Sequence, residues 1–180
     1  MKATKRIALS ALLIALALAL SYTERFIPLQ LVIPLPGIKL GLANIVTLVA
    51  LSLLGWRDTL WIVVIRCFMG AMFGGGISGL LFSLTGGLLS LLVMSLGAKV
   101  PVFSIFGISI LGAAAHNIGQ ICAAMVLMQT VYIGAYLPYL LVVAVFTGLA
   151  TATAAAGVLK ILPNHTLGTN FPQTSQKETE

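Results

Sequence analysis

The sequence predicts an all-α membrane protein, a bundle of six transmembrane helices. Three observations carry that prediction. The 180 residues are 59% hydrophobic and only 8% charged, with mean hydropathy +1.10, whereas a soluble domain carries roughly 25% charged residues. Such a chain cannot cover a water-facing surface. The apolar residues also fall into six long runs separated by prolines, glycines or charges. Finally, Lys and Arg cluster at alternate ends of those runs, as in multi-pass proteins.

The first span is placed over 7–25. It follows MKATKR and reads IALSALLIALALALSY. That pattern resembles a signal peptide with Ala17-Leu18-Ala19 as a cleavage site, but a retained first helix is the reading adopted, because multi-span proteins of this kind rarely need a cleaved signal. Ala11, Ala15 and Ala19 recur every fourth residue. A small-xxx-small stripe lets another helix approach closely. Inside the bundle it packs on a neighbouring span; on the outside it is a docking face for a partner membrane protein.

Residues 26–41, FIPLQLVIPLPGIKLG, are apolar, but Pro28, Pro34 and Pro36 prevent a continuous helix. This segment is expected at the interface or as a lid over a cavity. The second span is placed over 40–56 and is followed by a tight turn at Trp56-Arg57-Asp58, read chiefly as an interfacial anchor. The third, over 59–73, is the shortest and is expected to be tilted or broken. Gly74-Gly75-Gly76 interrupts the pattern after it. Non-helical backbone at that depth is tolerated where it lines a cavity, and Gly-broken short helices point to binding sites in transporters. Gly70/Gly74 and Gly75/Gly79 are expected to serve tight internal packing. The remaining spans are placed over 77–97, 103–130 and 134–161, the last two long enough to extend past the hydrocarbon. Residues 1–162 thus form a single transmembrane domain. Residues 163–180 form a polar tail, expected to be disordered. No inverted repeat is visible.

With the N-terminus in the cytoplasm, the inner side receives Lys2, Lys5, Arg6, Arg57, Lys99, Lys160 and Lys177, and the outer side only Arg25 and Lys39. This positive-inside bias predicts that both termini are cytoplasmic and that the protein is a multi-pass component of the cell membrane. The net charge of +6 is therefore a matter of topology, and nucleic-acid binding is not expected.

The remaining cation, Arg66, lies in the middle of WIVVIRCFMGAMF. A cation at that depth costs ~2.5–3.5 kcal/mol on insertion scales and needs a partner. The carboxylates are only Glu24, Asp58, Glu178 and Glu180. Glu24 and Asp58 fall near opposite membrane edges, so a mid-span pair with either would require an unusual fold. Backbone carbonyls or a bound anion are the other candidates, and a guanidinium is a planar fork suited to carboxylate or phosphate. At 1.5 Å per helical residue, Asn44 sits about one turn below the outer surface, and His116, Asn117 and Gln120 run from the middle of the fifth span toward its outer end. His116 and Gln120 share a face, and Asn117 points to a neighbouring one. These groups are expected to converge on an outer-half chamber with Lys39 at its rim, unless each makes one interhelical hydrogen bond and nothing more. Phe68, Phe73, Phe82, Tyr132 and Tyr136 offer aromatic surface nearby, or else core packing and interface anchoring.

The sequence has no Walker A motif, no HExxH and no clustered Cys and His. Cys67 and Cys122 sit in apolar segments and match no metal spacing. Neither cofactor nor metal is expected, and no enzyme activity.

PLPGIKLGLANIVTL at 34–48, the Arg66 span with its glycines, and AAAHNIGQ at 113–120 resemble the heptaprenyl diphosphate synthase component I family, also called the Gx transporter family. That family in turn resembles the S components of energy-coupling factor (ECF) transporters. The resemblance covers nearly all of 5–162. It implies a six-helix membrane protein that captures a vitamin-like small molecule from outside, with a transmembrane coupling protein and a pair of cytoplasmic ATPases as partners. It also implies that Ala11 and Ala15, continued by Ala19, contact the coupling protein, and that 26–39 closes over the ligand. The synthase name implies instead an association with isoprenoid or quinone synthesis. Prenyl elongation uses magnesium held by aspartate-rich motifs, and this chain has one aspartate, Asp58.

Overall fold

The computed structural model describes residues 3–26 and 39–161. The proline-rich part of the expected lid and the polar tail lie outside the described residues. Among the described residues the protein is all helical: α1 (Ala3–Thr23), α2 (Asn44–Leu54), α3 (Trp56–Gly70), α4 (Gly76–Gly97), α5 (Ile105–Met128) and α6 (Leu137–Ile161). Short irregular helices cover Glu24–Phe26, Ala71–Gly75 and Val131–Tyr136. Four stretches are long and apolar enough to cross a membrane: Ala3–Thr23, Trp56–Gly97, Ile105–Met128 and Val131–Ile161. Their outward faces carry Leu12, Trp61, Leu92, Val126 and Phe146, all more than half exposed. In water such a surface would aggregate; against acyl chains it is matched. The protein is a multi-pass membrane protein.

Neighbouring helices alternate in direction. Arg6 donates to Asp58 through Nε at 3.1 Å and also through Nη2, so α1 and α3 start at the same end. Ser109 bonds Thr151 at 2.6 Å, and the Asn117 amide donates to the Leu140 carbonyl at 2.8 Å, so α5 and α6 are antiparallel. Residue 3 and residue 161 therefore lie at one end, the near end. The far end holds the close of α1 and the start of α2.

Two boundaries differ from those the sequence predicts. The expected second span over 40–56 is helical only over Asn44–Leu54, because Gly41 at φ +85° holds the preceding backbone out of the helix. At 1.5 Å per residue α2 is about 16 Å long, short of the ~30 Å hydrocarbon thickness. It compensates by position: it touches each of the other five helices and buries nine residues. The turn expected at Trp56-Arg57-Asp58 is made instead by Gly55 at φ +83°; those three residues are the first turn of α3, where the Arg57 guanidinium lies 6.0 Å over the Trp56 ring. The interruption expected at Gly74-Gly75-Gly76 is present: between α3 and α4 the chain folds back where Phe73 (φ −83°, ψ 37°) and Gly74 (φ +93°) leave helical geometry inside a π-helical turn.

The glycines that bring helices together are not those expected from spacing. Among the described residues Gly79 has nothing within 4 Å of where a Cβ would stand, and at Gly70 the nearest neighbour, Leu18, is 3.8 Å away. Two crossings are close: a Cβ on Gly119 of α5 would lie 2.7 Å from the Thr85 carbonyl oxygen and 2.8 Å from Gly86 Cα on α4, and one on Gly148 of α6 would lie 2.6 Å from Ile110 Cα on α5. The α4–α5 contact seats His116 against Gly86 at the far end.

Candidate functional site

Seven polar residues meet at the far end, inside the bundle. Arg66, from the last turns of α3, is 6% exposed, and its Nε and Nη2 have no hydrogen-bond partner among the described residues. Within the same residues Asn44, the first of α2, is 1% exposed and unpartnered at both Oδ1 and Nδ2. His116 on α5 is 3% exposed; the Gly86 backbone lies against its ring but outside hydrogen-bonding geometry, and neither ring nitrogen has a partner among the described residues.

Bare glycine backbone separates these three groups. A Cβ on Gly41 would stand 2.9 Å from Asn44 Nδ2 and 3.0 Å from His116 Cδ2. One on Gly86 would stand 2.9 Å from His116 Nδ1, and one on Gly87 3.1 Å from Arg66 Nη2. Any side chain at these positions would collide with the polar groups.

Lys39 and Gln120 are engaged with the protein itself. The Gln120 side chain accepts from the Lys39 amide at 2.9 Å and donates to the Lys39 carbonyl at 3.1 Å, and Lys39 Nζ donates to Ser83 Oγ at 2.8 Å. Gln120 is thus a two-point clamp on the backbone that enters α2. Asn117 points away from Arg66 and satisfies the Leu140 carbonyl on α6. Of the six residues predicted as ligand-binding, the fold brings Arg66, Asn44, His116, Gln120 and Lys39 to one region and turns Asn117 toward α6.

Glu24 joins them, which the sequence did not indicate. The chain turns inward just past α1, and the Glu24 carboxylate, 4% exposed, accepts the Leu42 amide. Burial pushes its pKa above the usual carboxylate value, opposed by the Leu42 hydrogen bond and by the charges of Lys39 and Arg66. Arg66 therefore has a carboxylate within electrostatic reach, yet makes no ion pair with it. Asp58, the other carboxylate weighed for Arg66, is bound to Arg6 at the near end. The unusual fold that a Glu24 approach requires is thus realised as far as proximity, because the chain re-enters the bundle at residues 24 and 39. Ser83 was also missed: it is one of several serines on apolar helices, with nothing in its spacing to single it out.

Beside this cluster a cavity of about 340 Å³ is lined by Leu18, Ala19, Tyr22, Lys39, Gly70 and Phe73. Of the aromatics expected near the chamber, Phe82 is core, and Phe68 and Tyr132 are exposed on the outer surface. On the opposite, near-end side, Ala11 and Ala15 are exposed on α1, as is Ala19 farther along. Ala11 borders a groove of about 430 Å³ with Arg6, Ser10, Ile14, Asp58 and Ile65.

The family model for heptaprenyl diphosphate synthase component I matches residues 13–158. The chain belongs to this family. Every residue of the far-end cluster, from Glu24 to Gln120, falls inside the matched region. Membership of the heptaprenyl diphosphate synthase component I family agrees with the resemblance carried by 34–48 and 113–120. No curated protein and no solved structure gives a significant match.

Proposed function

We propose that this member of the heptaprenyl diphosphate synthase component I family is the substrate-binding subunit of a transporter of the energy-coupling factor type. It captures a small anionic, vitamin-like molecule from outside the cell membrane and hands it to partner subunits that hydrolyse ATP. The observation that carries this reading is Arg66: a guanidinium buried in a lipid-embedded bundle, with Nε and Nη2 left unanswered by the described residues beside Asn44 and His116, which those residues leave unanswered too. A buried ion without hydrogen bonds is costly, and a ligand that supplies them removes the cost.

Six crossings with both termini in the cytoplasm are part of the proposal. They are supported by the alternation of helix direction and by the Lys and Arg bias. The far end then faces outward. The exposed Ala11, Ala15 and Ala19 form a face on which a coupling protein's helix packs closely. No covalent chemistry is proposed. Binding, occlusion and handover require only that the ligand favour one of two bundle states.

Arg66→Ala is expected to abolish binding of the transported solute while leaving a bundle that still assembles and inserts. Uptake unchanged in that variant would remove Arg66 from the site. A second reading, favoured by the family's printed name, is a non-catalytic membrane subunit associated with heptaprenyl diphosphate synthesis. Co-purification from mild detergent separates the two: an ATPase pair supports transport, and a soluble prenyl synthase supports the second reading.

A further inference from the structure

We infer that the ligand of this chamber is a small monocarboxylate that also carries a paired hydrogen-bond donor and acceptor, as on an amide, ureide or pyrimidine edge. The inference deepens the substrate-binding reading above and rests on it.

The geometry of the unanswered groups supplies the argument. Nε and Nη2 of Arg66 are the two nitrogens of one edge of the guanidinium. Their N–H bonds run parallel, the arrangement that receives both oxygens of one carboxylate. Asn44 leaves a donor and an acceptor open on the same amide, and the two ring nitrogens of His116 are open as well. A carboxylate alone would leave Asn44 unsatisfied; a neutral amide alone would leave Arg66 unsatisfied.

Charge points the same way. Arg66 and Lys39 are two cations and Glu24 is the one carboxylate among them, already accepting the Leu42 amide, so the cluster is net positive whether or not Glu24 carries its proton. An anionic ligand is therefore favoured over a neutral one. Lys39 Nζ, the group best suited to a phosphate as a point charge, is hydrogen-bonded to Ser83. Only glycine at 41, 86 and 87 lets the backbone lie this close to the three polar groups, and the apolar cavity beside Tyr22 and Phe73, reached through Lys39, accepts a non-polar remainder.

The test uses the full chain in detergent micelles, followed by thermal unfolding through its tryptophan fluorescence. Orotate presents both a carboxylate and an imide edge, uracil the edge alone, benzoate the carboxylate alone, and inorganic pyrophosphate the competing chemistry. Orotate at tenfold over its dissociation constant should raise the unfolding midpoint by about 3 °C or more, with uracil and benzoate weaker. Asn44→Ala should reduce orotate to the level of benzoate, and Arg66→Gln should abolish both carboxylate shifts. If Arg66→Gln fails to assemble, Arg66→Lys decides: it keeps the charge, loses the fork, and should weaken orotate about tenfold or more. The inference is overturned if pyrophosphate outperforms orotate, if uracil equals it, if Arg66→Lys binds as tightly as the parent, or if no probe shifts the midpoint. Pyrophosphate binding in a chain that still recruits an ATPase pair would sink the ligand class and leave transport standing. Orotate binding without any ATPase would do the reverse.

Discussion

Arg66 and Glu24 show what one sequence can and cannot reveal at the scale of a residue. Arg66 is legible because an arginine among valines and isoleucines violates the local pattern, and its cost fixes its need for a partner. Glu24 carries no such signal: beside Arg25 at the end of an apolar run it reads as an ordinary interfacial pair, and only the re-entry of the chain buries it. His116 and Gln120 are legible as a shared face, but whether each meets protein or ligand depends on where Lys39 runs. A titration follows from Glu24. Burial favours its protonated form in the folded chain, so its folded pKa lies above the usual 4.5. As pH rises past 4.5 the unfolded chain releases the proton first, and stability falls until the folded value is passed. Glu24→Gln retains an acceptor for Leu42 and has no proton to lose. Its denaturant midpoint should therefore equal the parent's below pH 4.5 and exceed it increasingly toward neutrality. A parent that gains stability relative to Glu24→Gln over that window would contradict the assignment.

At the scale of an element, the helices were legible where the hydropathy was long and continuous. α4 begins one residue from its predicted start and ends as predicted, and α5 lies two residues inside its predicted bounds at each end. The failures are at glycines, where the same residue serves to pack, to turn or to do neither, and periodicity does not separate these uses. Two substitutions make the distinction measurable. Gly119→Ala places a methyl against the backbone of Thr85 and Gly86, which cannot rotate away, and should destabilise the bundle by about 1–3 kcal/mol. Gly79→Ala meets none of the described residues within 4 Å and lies in the helical interior of α4, so it should stabilise by roughly 0.5–1 kcal/mol. Reversible unfolding in mixed micelles reads both, and a neutral Gly119→Ala would mean that α4 and α5 do not cross where the structure places them.

For the whole molecule, membrane class and helix alternation followed from composition and from Lys and Arg placement alone. The order of packing did not, because lipid-facing and protein-facing leucines are chemically identical and these helices have almost no polar face to orient them. The placement of both described ends at the near end is testable without knowing any ligand. In a chain whose Cys67 and Cys122 are replaced, Ala3→Cys and Ile161→Cys should react with an impermeant maleimide from the same side of a proteoliposome. Reaction from opposite sides would mean an odd number of crossings.

The enclosure of α2 bears on how the protein is made. Eleven residues are too few for the translocation machinery to release sideways into lipid as a stable segment. Its surroundings are supplied by α3 and then by α6, the last of the described helices to leave the ribosome. Biogenesis must therefore hold α2 unsettled until α6 has emerged, and the Asn44 end of the polar cluster is completed only then.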